Sequence, residues 1–205
     1  MPTSNPYQIN DILELIILTS PKSLLDIGVG FGKYGFLARE YLELYDGREK
    51  YGDWQRRIDG IEAFGNYITP LQRQIYSNIF SGNASDIVPE LKNNYDLILM
   101  IDVLEHFSLE EGTKLLKECL KHGRNLAVST PWDIGVQGDH FGNPYETHRF
   151  QWEKKHFDAF PKKFFVHNDR SLICYIGEDA PRIGHSKRSR LKTALKILFP
   201  FLRRP

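Results

Sequence analysis

The amino-acid sequence predicts an α/β protein in which helices cover both faces of a mainly parallel sheet. Short apolar stretches alternate with segments of helical periodicity along most of the chain, a pattern typical of parallel strands joined by helices. Near the end, two strands are separated only by a few residues around Asn168-Asp169-Arg170, which is short enough only for an antiparallel hairpin. The sequence therefore predicts seven strands, at 23–27, 58–63, 78–81, 95–101, 125–130, 163–167 and 172–177.

The predicted helices follow from apolar spacing and from residues that start or stop a helix. In the N-terminal helix, 7–19, isoleucines and leucines recur at helical spacing, and Pro21 ends the helix. The clearest start signal is Ser108 with Glu111 three positions later, a capping box for a helix over 108–121. Further helices are predicted at 35–45, 66–77, 86–92 and near 152–159.

Length and charge suggest one domain and a basic tail. The chain has 205 residues, 41% of them apolar and 26% charged, as in an ordinary soluble globular protein. We expect a single domain over 1–180, with 19 basic and 26 acidic residues, and a tail over 181–205 with eight basic and no acidic residues. An acidic domain argues against duplex nucleic acid as a partner, because such binding depends on neutralising phosphates.

The cysteines and the N-terminus indicate the compartment. Cys119 and Cys174 are far apart and lie outside any CxxC or Cys/His ligand spacing, so we expect two free thiols and no zinc site. The N-terminus lacks the basic and apolar regions of a signal peptide, and no apolar run is long enough to span a bilayer. The expected location is the cytoplasm.

Two interpretations of the tail stay open. Leu191, Leu195 and Leu198 lie on one helical face, and Lys192 and Lys196 lie opposite. Residues 186–204 are therefore either a solvated tail or an interfacial helix that binds the anionic inner face of a membrane.

A glycine-rich loop follows the first strand, with glycines at 28, 30, 32 and 35. Such a loop lets backbone N–H groups approach a nucleotide or another anion closely. A GxGxxG match at Gly30, Gly32 and Gly35 allows a dinucleotide interpretation. That interpretation requires the first strand to extend to Val29. It also requires an acidic residue about 20 positions later, which would fall near Glu49 or Asp53 in a polar, turn-like region.

The loop can also be taken from Asp26, as Asp-Ile-Gly-Val-Gly-Phe-Gly. Three later segments then follow at the ends of the second, third and fourth predicted strands, in that order. They are Gly-Ile-Glu62-Ala, Ser81-Gly-Asn-Ala-Ser-Asp86, and the stretch from Tyr95 through Asp102 to His106. Over residues 20–178 this set resembles the class I S-adenosylmethionine-dependent methyltransferases. The resemblance implies a Rossmann-like seven-stranded sheet, with five parallel strands plus a C-terminal β-hairpin and helices on both faces.

The resemblance also implies S-adenosyl-L-methionine as cofactor and a set of residues around it. Glu62 would accept hydrogen bonds from the two ribose hydroxyls. Asn83 stands where the family usually has an aspartate beside the adenine amino group, and its uncharged amide oxygen is a weaker acceptor. The implied cofactor-binding residues are Asp26, Gly28, Val29, Gly30, Gly32, Glu62, Ala63, Asn83, Ala84 and Asp102.

Histidines are the candidate catalytic residues, because methyl transfer needs alignment and removal of the acceptor's proton. His106 follows the fourth strand, and His140 and His148 lie in the long loop 131–149, which we expect to form a lid over the acceptor. We select His106 and His148. A structural role for either, fixing a turn or pinning the loop, is the alternative.

The segment after the fifth strand carries a second resemblance. Its Gly-Asn-Pro and His148-Arg-x-x-Trp152 runs resemble bacterial class I methyltransferases of largely unassigned substrate. More remotely, Asp102-x-x-Glu105-His106 with His148 resembles the metal-binding pattern of small-RNA 2′-O-methyltransferases, but Asp102 replaces a glutamate and Phe107 a histidine. With this set incomplete, no metal is predicted.

The sequence therefore favours an S-adenosylmethionine-dependent methyltransferase that acts on a small molecule, a sugar or a glycan intermediate. Two alternatives stay open. One is a metal-assisted RNA-terminus 2′-O-methyltransferase, and the other is a catalytically silent protein that keeps the fold as an interaction scaffold. The sequence does not predict an oligomeric state.

Overall fold

The computed structural model describes residues 3–44 and 50–187 and contains one seven-stranded sheet. The strands are β1 (Ser23–Ile27), β2 (Arg57–Glu62), β3 (Asn78–Ser81), β4 (Leu97–Ile101), β5 (Asn125–Pro131), β6 (Lys163–Val166) and β7 (Ser171–Gly177). Their order in the sheet is β3-β2-β1-β4-β5-β7-β6. Strands β1 to β5 pair in parallel, and β7 is antiparallel to both β5 and β6. The predicted sheet and its hairpin are confirmed.

The helices include α1 (Ile9–Thr19), α2 (Lys33–Arg39), which continues as a π-helix over Glu40–Leu44, α3 (Pro70–Ile75), α4 (Ala84–Ile87) and α5 (Leu109–His122). The predicted capping box opens α5: the Ser108 hydroxyl accepts from the Glu111 amide, and the Glu111 carboxylate accepts from the Ser108 amide. A second box formed by Thr69 and Gln72 opens α3. That box explains why α3 begins at Pro70 and not at the predicted residue 66.

Two predicted helices are shorter than expected. The helix expected at 86–92 is the four-residue α4 followed by a 3-10 turn at Val88–Glu90. The helix expected near 152–159 is only a 3-10 turn, Lys154–Phe157. Phe157 and Phe160 lie three positions apart and both enter the core, a spacing that suits the three-residue repeat of a 3-10 turn.

Each face of the sheet carries its own apolar core because strand side chains alternate between faces. Leu24, Leu97 and Leu99 pack with α1, α2 and α3 on one face. Leu25, Ile98 and Met100 face the other side, where α4 and α5 pack together with Trp152 and Phe157. Both cysteines lie in this second core as buried free thiols, and burial raises the thiol pKa of each, that of Cys174 to about 12.

The body extends beyond the predicted boundary at residue 180. Residues 180–187 are helical, and Ile183 is buried in the same core as α1. Lys187 Nζ lies 3.2 Å from Asp11 Oδ1 and 2.7 Å from Glu14 Oε2, which ties this segment to α1. The tail hypothesis for 186–204 therefore falls almost wholly outside the described residues. Within residues 3–44 and 50–187, no helix combines the length and apolarity required to cross a membrane.

The chain order places a functional edge at the centre of the sheet. From β1 the chain runs outward through β2 to β3, then returns to β4 on the other side of β1. Open α/β sheets bind ligands outside the carboxyl ends of the strands at this kind of switch point. Candidate residues after β1, β2, β3 and β4 therefore meet at one edge.

Candidate active site

A cavity of about 570 Å³ opens at this edge, within the size range of small-molecule and cofactor sites. Its wall contains residues that follow each of the five parallel strands. Of the sequence-predicted site residues, it contains Gly28, Val29, Gly30, Glu62, Ala63, Asn83, Ala84, Asp102 and His106. The structure therefore brings together most of the predicted cofactor set and one predicted catalytic histidine.

The glycine loop leaves β1 in a conformation that requires glycine. Gly28 and Gly30 have φ values of +82° and +50°. A side chain at Gly28 would also overlap the Val103 side chain after β4. Because β1 ends at Ile27, the loop starts where the Asp26 pattern places it, and the strand does not extend to Val29 as the dinucleotide interpretation requires.

Gly35 belongs to the packing of α2 and does not line the cavity. A Cβ atom there would overlap the ring of Tyr76, whose hydroxyl accepts a hydrogen bond from the Gly35 amide at 3.2 Å. The third glycine of the GxGxxG match therefore has a packing explanation.

Glu62 links β2 to the glycine loop. Its Oε2 accepts from the Gly30 amide at 2.8 Å, and its Oε1 accepts from the Phe64 amide at 2.9 Å. The carboxylate is almost fully buried yet lies on the cavity wall, and burial raises its pKa. Each carboxylate oxygen has two lone pairs, so Glu62 can hold the loop and still accept hydrogen bonds from a ligand diol.

Asp26 and Gly32, by contrast, are not part of the cavity wall. Asp26 is buried behind the loop, where its Oδ2 accepts a 2.6 Å hydrogen bond from the Tyr76 hydroxyl. Burial, with a smaller contribution from Glu62, raises the pKa of Asp26 to about 7. Asp26 is therefore fixed to Tyr76 and does not line the cavity, whereas the sequence predicted that it binds the cofactor.

Asn83 is at the cavity and also has a local role. It is the N-cap of α4, and its Oδ1 accepts from the Ser85 amide at 2.9 Å. One lone pair of the amide oxygen is thus committed to the helix. The remaining lone pair can accept from a ligand amino group at the β3 end of the cavity.

Asp102 holds the N-terminal segment over the β1–β4 end of the cavity. Its Oδ2 accepts from the Asn5 amide at 2.8 Å and from Gln8 Nε2 at 2.7 Å, and its Oδ1 accepts from the Ser129 hydroxyl at 2.9 Å. Its backbone φ is +52°, an uncommon value for a residue other than glycine. The carboxylate that is predicted to bind the cofactor therefore also holds the N-terminal segment, which no motif places at this edge.

Glu105, His106 and His148 form a cluster beside the cavity. Each offers one potential metal-ligand atom, and these atoms lie within 4.8 Å of one another. His106 Nδ1 lies 3.1 Å from the Thr147 carbonyl oxygen, and His148 Nδ1 contacts the Ile134 carbonyl oxygen. Because a carbonyl only accepts, both imidazoles carry a proton on Nδ1 and, when neutral, leave the Nε2 lone pair free.

Burial shapes the protonation of this cluster. Burial lowers the pKa of His106, which favours the neutral imidazole. Glu105 is almost fully buried, and burial, followed by the charge of Asp102, raises its pKa well above the usual range. Its Oε2 has no hydrogen-bond partner within the described part of the chain. A proton or a cation would satisfy this oxygen.

The loop 131–149 forms a wall rather than a free lid. Residues 143–147 and Arg149 line the cavity, whereas residues 132–142 do not, and His140 is among those that lie away from it. Several bonds anchor the loop: the Arg149 amide donates to the Glu105 carbonyl at 2.8 Å, and Gln137 Nε2 donates to the Glu146 carbonyl at 2.7 Å. Trp152 fixes its end, because it is fully buried and donates from Nε1 to the Leu104 carbonyl at 3.0 Å.

The lining side chains that were not predicted as site residues from the sequence include Lys33, Tyr67 and Glu146. The Tyr67 hydroxyl donates to Glu146 Oε1 at 3.3 Å and so joins the region after β2 to the loop after β5. No motif marks Tyr67 or Glu146. Lys33 could have been predicted as a lining residue, because it directly follows the glycine loop.

Comparisons with known proteins place this architecture. No protein-family model and no curated protein sequence matches the chain. Among solved structures, a candidate O-methyltransferase from Nostoc punctiforme is 16% identical over 83% of this chain, with a TM-score of 0.55. This chain spans 57% of that protein's length.

This chain also matches two further solved structures along most of their length. The N-terminal domain of EvdMO1, crystallised with S-adenosylhomocysteine and D-fucose, is 10% identical over 85% of this chain and 84% of that one, with a TM-score of 0.60. The methyltransferase domain of bacterial CtHen1 is 18% identical over 84% of this chain and 98% of that one, with a TM-score of 0.56. Together with the strand order, these likenesses confirm the predicted architecture: the chain has the Rossmann-like fold of the class I S-adenosylmethionine-dependent methyltransferases.

Proposed function

We propose that this protein is an S-adenosylmethionine-dependent methyltransferase that acts on a hydroxyl group of a small molecule, a sugar or a glycan intermediate. The observation that carries the proposal is the carboxylate of Glu62, bonded to the glycine loop and exposed to the cavity at the switch point of the sheet. The S-adenosylhomocysteine in the EvdMO1 structure supports the same choice of cofactor.

The order of the strands gives the direction in which the cofactor would lie. With the ribose on Glu62 after β2, Asn83 after β3 would bind the adenine. Gly28 after β1 and Asp102 after β4 would then hold the methionine part. His106, which follows β4 and contacts Thr147 in the loop after β5, would lie on the side of the transferable methyl group.

The chemistry needs an acceptor oxygen in line with the methyl carbon and a base for its proton. His106 suits the base because it lines the cavity, its Nδ1 proton is held by the Thr147 carbonyl, and burial favours its neutral form. The hydroxyl proton moves to Nε2 while the oxygen forms a bond to the methyl carbon. The carbon–sulfur bond breaks, and its electron pair stays on sulfur.

The proposed class of methyl acceptor rests on the charges in the cavity wall and on the similarity to EvdMO1. Acidic side chains predominate in the cavity wall, where Glu62, Asp86, Asp102, Glu111, Glu118 and Glu146 outnumber Lys33, Lys114 and Arg149. This balance favours a polyhydroxyl acceptor over a phosphate-rich one. The D-fucose in the EvdMO1 crystal supports a sugar.

A second candidate is metal-assisted transfer, which the cluster of Glu105, His106 and His148 favours. Two Nδ1-anchored imidazoles and a buried carboxylate with an unpartnered oxygen are suitable ligands for a divalent cation. When bound, such a cation would lower the pKa of an acceptor hydroxyl. The resemblance of Asp102, Glu105, His106 and His148 to the metal-binding pattern of small-RNA 2′-O-methyltransferases keeps an RNA terminus as the acceptor in this case.

Calorimetric titration with S-adenosylhomocysteine tests the cofactor. We expect binding by the native protein and a loss on the order of 1.5–3 kcal/mol for Glu62→Gln, the range for hydrogen bonds to a charged group. Glu90→Gln, an exposed control, should bind normally. A native protein that binds no S-adenosylhomocysteine would leave the scaffold hypothesis in its place.

The two catalytic hypotheses separate once a methyl acceptor is in hand. If His106 is the base, His106→Ala lowers turnover by roughly 10²–10⁴-fold, chelators have no effect, and cofactor binding persists. If the cluster holds a cation, chelation abolishes turnover, added Mg²⁺ or Mn²⁺ restores it, and Glu105→Gln is as damaging as His148→Ala. Normal turnover by His106→Ala would contradict both.

A further inference from the structure

Lys33 is the cationic side chain at the centre of the sheet's functional edge. It is the first residue of α2, directly after the glycine loop, and it lines the cavity. Its Nζ donates to the Ser4 carbonyl at 2.7 Å and to the Ser4 hydroxyl at 3.0 Å. An ammonium group has three donors, so one N–H of Lys33 is not used by these two bonds.

The position of Lys33 matches one end of the proposed cofactor, and this step rests on the proposed function. With the ribose at β2 and the adenine toward β3, the amino-acid end of S-adenosylmethionine lies between β1 and β4. Lys33 follows β1, and Asp102 follows β4. Burial lowers the pKa of Lys33, and the nearby charge of Asp102 opposes this shift.

We infer that Lys33 binds the α-carboxylate of the cofactor's methionine part and so selects S-adenosylmethionine over forms that lack this carboxylate. A zwitterionic amino acid needs a cation for its carboxylate and an acceptor for its ammonium. Lys33 and the neighbouring Asp102 provide both signs of charge at the same end of the cavity.

The N-terminal segment makes this interaction stronger than a surface ion pair. Thr3 and Ser4 line the cavity beside Lys33, and the Asn5 amide is fixed to Asp102 at 2.8 Å. Gln8, also bonded to Asp102, is fully buried. Lys33 is half-buried, so this segment shields part of it from water, and a charge pair is stronger where water is partly excluded.

A purely structural role is the competing explanation. Lys33 would then only fix Ser4, and losing it would loosen the N-terminal segment for every ligand alike. The two roles differ in one measurable respect. Carboxylate recognition affects only ligands that have the carboxylate, whereas fixing the segment affects all of them.

The test compares S-adenosylmethionine with decarboxylated S-adenosylmethionine, which keeps the sulfonium and the terminal amine but lacks the carboxylate. Dissociation constants are measured by calorimetry for the full chain and for Lys33→Met, Lys33→Arg and Lys117→Met. Lys117→Met is the matched control because Lys117 is an exposed lysine of α5 that does not line the cavity.

The native protein and the control should bind S-adenosylmethionine roughly 10- to 100-fold more tightly than the decarboxylated form. Lys33→Met should lose this preference through weaker binding of S-adenosylmethionine alone. It should bind the decarboxylated ligand as well as before or better, because a neighbouring cation is gone. Lys33→Arg should keep most of the preference, since arginine also pairs with carboxylates.

Three results would overturn the inference: equal weakening of both ligands by Lys33→Met, a preference that survives in Lys33→Met, or a native protein without a preference. All three leave the proposed function standing, provided that the native protein binds S-adenosylmethionine. Binding of neither ligand by the native protein would overturn the proposed function as well. If Lys33→Met does not fold, Lys33→Gln provides the same comparison with a polar side chain.

Discussion

The two halves of the cavity are built in different ways. In the half formed after β1, β2 and β3, the backbone carries most of the geometry: a glycine loop, two amides bonded to Glu62, and the cap of α4. In the half formed after β4 and β5, side chains fix separate segments to each other. His106 contacts the carbonyl of Thr147, 41 positions away, and Trp152 donates to the carbonyl of Leu104.

The difference shows which kind of site can be inferred from a motif. A strand, a glycine loop and a helix are adjacent in sequence, so their geometry is local and leaves a local pattern. The half after β4 and β5 depends on contacts between distant segments, and the same residues would form a different site if the loop after β5 followed another path. A motif therefore predicts the place of the residues in the first half and not the contacts of the second.

The largest expected effect is on the half after β4 and β5. Trp152→Ala should cost about 3–5 kcal/mol of unfolding free energy, because it empties a fully buried site that packs against Gly112. Trp132→Ala, at a tryptophan that is 40% exposed, should cost about 1 kcal/mol or less. Urea denaturation measures both. Equal losses would show that Trp152 does not anchor the loop.

Asp26, behind the loop of the first half, should produce a smaller, pH-dependent effect. Its pKa is about 7 in the folded protein and 3.8 as an ordinary aspartate, so between these values the folded state holds a proton that the unfolded state has lost. Stability from this group therefore falls as pH rises from about 4 to 7. Asp26→Asn removes the penalty and should gain up to about 4 kcal/mol relative to the native chain at pH 8.

The measurement for Asp26 is urea unfolding of both proteins at pH 4 and pH 8. The difference between them should be larger at pH 8, while Tyr76 keeps an acceptor in the asparagine. A difference that is the same at both pH values would show that Asp26 is ionised when folded. The loop would then be held by charge and not by a neutral hydrogen bond.

The smallest expected effect concerns Asn83. Asn83→Asp keeps an N-cap for α4, because asparagine and aspartate cap equally well, and it provides a charged acceptor at the β3 end of the cavity. S-adenosylhomocysteine should bind about fivefold more tightly, as measured by calorimetry, with an unchanged unfolding free energy. Weaker binding would mean that Asn83 does not face the adenine amino group.

The sequence predicted the sheet well because its information is local. The bounds of β1 and β3 match the predicted ranges, since buried strands between turn residues end abruptly. The short helices were predicted less well, because tertiary packing at Phe157 and Phe160 determined the 3-10 turn. Periodicity alone does not show such packing.

At the site, a motif predicted which residues lie near the carboxyl ends of the strands. It did not predict the contacts that these residues make with distant parts of the chain. Asp26 matched a pattern, yet its hydrogen bond comes from Tyr76, which follows α3 and lies 50 residues later in the chain. The bond between Tyr67 and Glu146 spans 79 positions, and no local pattern encodes it. The contact between Asp102 and Gln8 likewise requires the N-terminal segment to cross the sheet edge.

The antiparallel strand β7 has a consequence for how this domain is made. It lies between β5 and β6, so the backbone of β5 stays without its second neighbour until residues 171–177 are available. A nascent chain that ends before Ser171 therefore presents β5 as an apolar open edge, a template for aggregation. The half of the cavity after β4 and β5 is complete only once residues 171–177 have been made, and truncations into β7 should yield insoluble protein and not a ligand-binding fragment.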